Sequence, residues 1–233
     1  MTDLKGVFER DGYLVIDDFF DADLMNMLDD LIRGHFDDKP DFLHNDEFLE
    51  KAKTDVIPWF PQREGVEAFD EIERDSRFTE LSQSILGSGW TSQYCMVMFS
   101  KKGRAGQAWH QDCPPVDVMR HNLNRLVYTR DITDETGGQT VVVPGSQKTG
   151  LIPVGDPVGN FENQLVLRPR KGTLVLLHGH TWHRVLPIKG DYRFSTNYRA
   201  APRGTPDDIT DVCVYRNMCY QFSTSTIIEE RIA

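Results

Sequence analysis

The sequence predicts a mainly β domain of the barrel or sandwich kind, preceded by helices. Short apolar segments separated by glycine- and proline-containing turns occupy the middle of the chain, at 90–100, 124–131, 139–143, 164–168, 173–178 and 192–199. Several short strands with turns between them are typical of sandwiches and barrels. A length of 233 residues suits one such domain with a sizeable core.

We therefore expect a single domain over residues 1–233. Its helical part reaches to about residue 89, its β core covers about 90–200, and a tail follows at 201–233. The tail contains apolar residues that could add an edge strand or help an oligomer form, so the sequence leaves open whether the protein is a monomer or a homodimer.

The N-terminal part predicts helices that pack on the sheet. A short helix leads through Gly12 into the β-type run 13–16, and Asp21 is a candidate cap for the next helix. Apolar residues then follow three- and four-residue spacing, which indicates one buried helical face. These residues are Leu24, Met27, Leu28, Leu31 and Ile32. Residues 66–87 form a further helical stretch that ends near Gly87.

Residues 35–65 contain several prolines and predict irregular structure. Within them, the run 56–61 is apolar and aromatic. Such a loop is either a lid or pocket wall, or simply packed on the β core, and the sequence leaves both interpretations open.

Composition excludes several classes of protein. The net charge of −10 argues against nucleic acids and anionic membranes as partners. The start of the chain has no secretory signal pattern, and no apolar run is long enough to span a membrane.

The four cysteines show no CxxC spacing, so neither a zinc knuckle nor a redox pair is indicated. They are Cys95, Cys113, Cys213 and Cys219. We expect free thiols in a cytoplasmic protein.

The segment His110-Gln111-Asp112 is the first candidate for chemistry. Side chains two residues apart lie on the same side of a strand, so His110 and Asp112 face the same way. A second imidazole from a distant strand would complete a set of two nitrogens and one carboxylate, which suits non-haem Fe(II). Alone, a His-x-Asp segment is a weak signal.

Three histidines compete for the second imidazole, and an arginine follows them. The residues themselves do not decide between His178, His180 and His183. Further along, strand alternation puts Arg193, Ser195 and Asn197 on one face. An inward arginine is a natural partner for a carboxylate, whereas an arginine on a solvent face is the commoner case, and both remain open at this point.

Four motifs together resemble the phytanoyl-CoA dioxygenase family of Fe(II)- and 2-oxoglutarate-dependent oxygenases, from about residue 6 to residue 200. They are Trp109-His110-Gln111-Asp112, the upstream Phe99-Ser100-Lys101-Lys102-Gly103, the segment from Gly138 to Pro144-Gly145-Ser146-Gln147, and Gly172-Thr173-Leu174 to His183 followed by Arg193. One departure is Gln147, where the family usually has a histidine that is not a metal ligand.

The resemblance implies a double-stranded β-helix, a jelly-roll or cupin-like core, with the N-terminal helices packed on its outside. It implies Fe(II) bound by His110, Asp112 and His183, with His178 and His180 as neighbours rather than ligands. It further implies O2 and 2-oxoglutarate as cosubstrates. The C5-carboxylate of 2-oxoglutarate would be anchored by Arg193, with support from Ser195 and from the upstream Lys101.

The implied activity is hydroxylation of a small-molecule metabolite with release of succinate and CO2. Halogenases of this type have a small residue at the position of Asp112, so its carboxylate favours hydroxylation. Desaturation, epimerisation or ring formation in natural-product biosynthesis would use the same cofactors. A cupin-type metalloenzyme without 2-oxoglutarate and a binding module with a relict site are further alternatives. The substrate cannot be read from the sequence, and candidate pocket walls are the loop near Trp59 and Phe60 and the segment Cys113 to His121.

Overall fold

Two antiparallel sheets form the body of the protein. The computed structural model describes residues 3–37 and 45–232. The strands are β1 Tyr13–Ile16, β2 Ile57–Trp59, β3 Thr91–Lys101, β4 Gln107–Gln111, β5 Leu123–Val127, β6 Thr140–Val142, β7 Leu165–Val166, β8 Leu174–His178, β9 His183–Val185, β10 Tyr192–Ala201, β11 Val212–Tyr215, β12 Met218–Gln221 and β13 Thr226–Glu230.

The helices lie mostly before the first long strand, as predicted. They are α1 Leu4–Asp11, α2 Ala22–Asp37, α3 Asp46–Ala52, α4 Asp70–Arg74 and α5 Ser76–Leu86, with short 3-10 turns at Pro61–Glu64, Glu67–Phe69 and Ser146–Lys148. The Asp21 side chain accepts a hydrogen bond from the Leu24 amide, and so caps the start of α2 as expected. No helix in the described ranges is long and apolar enough to cross a membrane.

The strand order shows that the chain crosses repeatedly between the two sheets. One sheet has the order β1-β8-β5-β10-β3-β2, and the other has the order β13-β12-β11-β4-β9-β6-β7. Consecutive core strands such as β3 and β4, or β8 and β9, therefore lie in different sheets. This is the arrangement of a jelly roll, and the predicted mainly β fold with N-terminal helices outside it is confirmed. The predicted division into helical part, core and tail remains a prediction.

The six-stranded sheet has two chemically different faces. On β10, Phe194 and Tyr198 belong to the largest core cluster, together with Leu28 and Ile32 of α2 and Phe78 of α5. The alternate residues of β10 point to the other side, between the two sheets. Strand alternation thus separates a helix-covered apolar face from an interior that carries polar groups.

The buried stripe of α2 differs from the prediction. Leu28 and Ile32 are fully buried, but Met27 and Leu31 are 41% and 37% exposed. Met25 and Phe36 contribute to the buried face instead. The spacing identified the helix correctly, but the helix contacts the sheet along a narrower stripe than its apolar residues suggest.

The region predicted as irregular contains regular elements. Within the described residues, α3 begins with Asn45 as its cap, because the Asn45 side chain accepts a hydrogen bond from the Phe48 amide. The apolar loop includes β2, which pairs with β3 at the sheet edge. Pro58 is tolerated there because an edge strand leaves one side of its backbone without a partner strand. The remaining residues of this region, 38–44, lie outside the described ones.

The C-terminal tail contributes more than an edge strand. It forms β11, β12 and β13, and β11 pairs directly with β4, the strand that carries His110. The second sheet therefore includes strands that follow residue 200. Hydrophobic alternation in the tail is short, so only the pairing itself shows that these strands complete the second sheet.

A buried arginine ties the helical layer to the six-stranded sheet. Arg125 of β5 is fully buried and donates hydrogen bonds to the Tyr198 carbonyl and the Ser82 hydroxyl. Its guanidinium pairs with Glu73 of α4 at 3.1 Å and lies over the Phe78 ring. Burial lowers the pKa of Arg125 to about 10, and Glu73 opposes that effect. The charge of Arg125 is stabilised by Glu73, because little water reaches the buried guanidinium.

We predict that Glu73→Gln destabilises the fold by about 3 kcal/mol, because it leaves the Arg125 charge buried without an opposite charge. The change in the urea unfolding midpoint measures it. Glu71→Gln is the matched control, since Glu71 is on the same helix, is 49% exposed and pairs with the exposed Arg74. The control should cost less than about 1 kcal/mol. Equal effects of the two variants would contradict a structural role of the Arg125 pair.

Candidate metal centre and adjoining cavity

His110 and His183 lie directly opposite each other on two neighbouring strands. The antiparallel pairing of β4 with β9 makes them register partners, and their ring centroids are 4.1 Å apart. On the other side of β4, Tyr215 of β11 is the register partner of His110, and their rings stack at 5.4 Å. Sheet register therefore brings together two imidazoles that are far apart in the chain.

Asp112 completes a cluster of three possible metal ligands. It follows β4 directly, and its carboxylate oxygens lie 3.8 Å from His110 Nε2 and 3.9 Å from His183 Nε2. One ligand atom from each residue lies within 4.8 Å of the others, and all three residues are buried. Two imidazoles and one carboxylate are a donor set that suits Fe(II) with open coordination positions.

Backbone carbonyls orient both imidazoles. His110 Nδ1 lies 2.7 Å from the Ala108 carbonyl, and His183 Nδ1 lies 2.8 Å from the Thr181 carbonyl. A carbonyl only accepts, so each Nδ1 donates its proton there, and Nε2 of each ring is the nitrogen near Asp112. This is how proteins set the tautomer of histidines that bind metals.

A hydrogen-bond network holds both oxygens of the Asp112 carboxylate. The Arg199 guanidinium donates to Oδ1 at 3.0 Å. The Asn124 amide donates to Oδ2, and Asn122 donates to the same oxygen at 3.4 Å. The Asn197 amide donates in turn to the Asn124 carbonyl oxygen at 2.8 Å. Side chains of β5 and β10, in the opposite sheet, thus fix a carboxylate that follows β4.

The electrostatics keep these groups in the protonation states that metal binding needs. Burial lowers the pKa of His110 to about 3, and the neighbouring His183 adds to that effect. Burial alone would raise the pKa of Asp112, but Arg199 and the two imidazoles together hold it well below its usual range. A neutral imidazole and an ionised carboxylate are the forms that bind metal ions.

Arg193 is a buried cation without an acidic partner. It is 2% exposed, and its Nε donates to the Gly138 carbonyl at 3.1 Å. Burial lowers the pKa of the guanidinium, and Tyr128 offsets part of this effect. Among residues 3–37 and 45–232, no carboxylate forms an ion pair with it. Such burial is costly unless an anion binds there.

Gly138 permits the close approach of its backbone to Arg193. Its φ is +69°, and a Cβ at this position would lie 2.6 Å from Arg193 Cγ. Both the left-handed backbone and the lack of space favour glycine. The glycine of the motif that precedes β6 therefore shapes the environment of the arginine.

Ser195 and Lys101 differ in where the structure places them. Ser195 follows Arg193 on the interior face of β10, and its buried hydroxyl has no hydrogen-bond partner among the described residues. Lys101 is the register partner of Tyr192, whose ring stacks on Phe99. Lys101 thus lies on the helix-facing side of β3, and Ser100 is the residue opposite Arg193. The geometry does not bring Lys101 to the triad or to Arg193.

The other two histidines of the distal segment form a separate cluster with His121. The rings of His121 and His178 stack at 3.9 Å, and His178 lies 5.0 Å from His180. His178 Nδ1 accepts a hydrogen bond from the His180 amide. Within the described chain, the only group of three residues placed to hold a metal is the one with His183. His178 and His180 do not belong to that group.

A cavity of about 360 Å³ opens beside the triad. His110, Asp112 and Arg199 contribute to its floor. One predicted wall is present, since Phe60 lines the cavity, whereas Trp59 packs in the helical core. The other was wrong, because no residue from Cys113 to His121 lines it; Val116, Val118 and Met119 of that segment are exposed. The chain turns away from the cavity after Asp112.

Sequence reasoning missed several residues of this site. Arg199, Asn124 and the tail residues that line the cavity were not predicted. Arg199 extends the alternation that put Arg193, Ser195 and Asn197 on one face, so that signal could have found it. No local sequence pattern indicates that the tail lines the cavity, because this depends on the pairing of β11 with β4.

Solved structures with the same fold include enzymes that bind iron and 2-oxoglutarate. The non-haem alpha-ketoglutarate-dependent epimerase SnoN from nogalamycin biosynthesis has a TM-score of 0.67 and 18% identity, covering 91% of this chain and 84% of that one. HygX from Streptomyces hygroscopicus, with nickel and 2-oxoglutarate bound, has a TM-score of 0.67 and 14% identity, covering 88% of each chain. A further HygX structure contains hygromycin B, with a TM-score of 0.63, 14% identity and 88% of each chain covered. At these identities, the likeness shows the fold.

Comparison with known sequences and with family profiles adds to the likeness in fold. No curated protein sequence matches the chain. The family profile for phytanoyl-CoA dioxygenase (PhyH) matches residues 8–193, which include the three triad residues and Arg193. The predicted family and oxygenase class are confirmed, and Fe(II), 2-oxoglutarate and O2 are the cofactor and cosubstrates of such enzymes, as predicted. The chain belongs to the phytanoyl-CoA dioxygenase family.

Proposed function

We propose that this protein is an Fe(II)- and 2-oxoglutarate-dependent oxygenase that hydroxylates a small molecule and releases succinate and CO2. The proposal rests on two features that occur together in the interior between the sheets. One is the buried triad of His110, Asp112 and His183. The other is the buried Arg193, which lacks an acidic partner in the described structure.

The residues fit the metal and its cosubstrate. The triad offers the Nε2 atoms of two imidazoles and one carboxylate, the donor set that non-haem Fe(II) uses. Arg193 and the unpartnered Ser195 hydroxyl, on one strand face, offer a charge and a donor to a distal carboxylate. A planar guanidinium binds a carboxylate through two parallel hydrogen bonds.

When bound, iron and 2-oxoglutarate supply the oxidising chemistry with O2. The protein supplies position, charge and exclusion of water. Arg199, Asn124 and Asn122 hold the Asp112 carboxylate in one orientation. Arg193 neutralises the far carboxylate of 2-oxoglutarate, and the adjoining cavity holds the substrate beside the metal.

Hydroxylation is favoured over halogenation because Asp112 provides a third protein ligand and leaves no ligand position for a halide. Desaturation, epimerisation and ring formation need the same residues, and the placement of the substrate would decide between them. A cupin-type enzyme without 2-oxoglutarate has no use for Arg193. We also propose a cytoplasmic location, which the four free, buried cysteines support.

We predict that His183→Ala abolishes stoichiometric Fe(II) binding, because it removes one of three protein ligands. His180→Ala is the matched control, since His180 is also buried and lies in the same segment but outside the triad. It should retain at least partial binding. Anaerobic calorimetry with Fe(II), followed by metal analysis, measures both. Full iron occupancy in His183→Ala would overturn the ligand assignment.

We predict that Arg193→Ala raises the KM for 2-oxoglutarate by at least about tenfold, because a charge-assisted hydrogen bond contributes about 1.5–3 kcal/mol. Its affinity for Fe(II) should change far less. Lys101→Ala is the control, and the position of Lys101 on the opposite strand face leads us to expect an unchanged KM. Succinate release measures the KM. An unchanged value in Arg193→Ala would remove this residue from the anchor role.

A further inference from the structure

The cavity beside His110 and Asp112 has mainly apolar and aromatic walls. Residues from three separate segments meet there, among them Val56, Phe60, Tyr94, Met96, Tyr220 and Phe222. Aromatic and thioether side chains offer flat, polarisable surface rather than hydrogen bonds. A ligand of the same character would bury its own apolar surface on entering.

Among the described side chains that line the cavity, none offers an unpaired charge to a ligand. The lining residues with acidic or basic side chains are Asp112, Arg199 and the triad residue His110. Asp112 and Arg199 pair with each other at 3.0 Å. A polyamine would find no spare carboxylate, and the phosphates of a coenzyme A thioester would find no spare cation. Burying either charge without a partner is costly.

The size of the cavity sets a further limit. Its volume of about 360 Å³ is near the lower end of the roughly 300–1,000 Å³ found for small-molecule sites. The polar lining residues Thr54, Gln107 and Thr210 are uncharged, and the amide of Gln107 can both donate and accept hydrogen bonds. A compact ring system with one or two hydroxyl or carbonyl groups fits both the volume and the lining.

Much of this wall lies outside the part of the chain that the family profile matches. The profile ends at residue 193, whereas Thr210, Tyr215, Tyr220 and Phe222 follow it. The triad and the arginine that define the family are inside the match. The cavity walls thus come partly from a segment that follows the matched residues.

We propose that the substrate is an uncharged, compact, largely aromatic or polycyclic molecule held against the walls formed by β3, the 56–60 segment and the C-terminal strands. The reaction expected on this molecule rests on the proposed oxygenase function, whereas its predicted binding does not. Neither a polycationic aminoglycoside nor an acyl-CoA is expected to bind here. The proposal assigns substrate selection to residues 210–225, after the family match ends.

The direct test is ligand binding to the full chain, loaded anaerobically with Fe(II) and 2-oxoglutarate and, in parallel, without them. Calorimetry and ligand-observed NMR would compare flavone and naphthol, as uncharged ring systems, with hygromycin B and acetyl-CoA. We expect saturable binding of flavone or naphthol with one site per chain. Hygromycin B and acetyl-CoA should show at least about tenfold weaker binding.

Two variant pairs locate the site. Phe222→Ser should weaken binding of the uncharged probe about five- to tenfold, because it removes an apolar wall at the mouth. Ile228→Ser is its control, since Ile228 is in the same tail, has similar exposure and does not line the cavity. Met96→Ala and the exposed Met119→Ala form a second pair, which keeps the test informative if one variant fails to fold.

The outcomes separate this proposal from the oxygenase assignment. Tighter binding of hygromycin B or acetyl-CoA than of either uncharged probe would overturn it, as would equal effects in variant and control. If uncharged probes bind but no 2-oxoglutarate turnover can be found, the oxygenase assignment fails and the cavity assignment stands. If succinate forms without any binding of flavone or naphthol, the oxygenase assignment stands and the cavity assignment fails.

Discussion

The antiparallel pairing of β4 with β9 is the constraint on which the site depends. It makes His110 and His183 register partners, so their imidazoles meet across one sheet without any long side chain having to reach. A shift of one residue in either strand would turn one imidazole to the other face of the sheet. The neighbouring pairing of β4 with β11 places Tyr215 beside His110 and holds the strand from its other side.

The opposite sheet supplies the rest of the environment through the alternation of β10. Phe194 and Tyr198 pack under the helices, while Arg193, Asn197 and Arg199 face the interior. One strand therefore anchors the helical layer and carries two guanidinium groups with different partners. Arg199 pairs with Asp112, whereas Arg193 has no acidic partner among residues 3–37 and 45–232.

The surroundings of these two arginines differ in charge balance. Around Arg199 the charge is already balanced by Asp112, so the adjoining cavity is electrically neutral and apolar. Around Arg193 the charge is unbalanced, which suits a dicarboxylate cosubstrate. The proposed separation of a charged cosubstrate from an uncharged substrate rests on this difference between the two arginines.

The helical layer stabilises this arrangement without taking part in it. Arg125 of β5 points away from the triad, toward Glu73 and Ser82, while its neighbour Asn124 points to Asp112. Adjacent residues of one strand thus connect the metal centre to the helices. Rigidity of this sheet keeps the Asp112 network in place.

The sequence by itself determined the fold class and the family, and it offered His110, Asp112 and Arg193 as site candidates, because turn signals, two-residue alternation and the spaced motifs are local properties of the chain. It did not settle which of His178, His180 and His183 faces His110 without the family resemblance, since all three lie in one short segment. Only the tertiary structure decided that, through the register of β4 and β9. It also decided that Lys101 lies on the helix-facing side, that Arg199 reaches Asp112 and that the tail walls the cavity. These are contacts between distant strands, and no local pattern specifies which strands become neighbours.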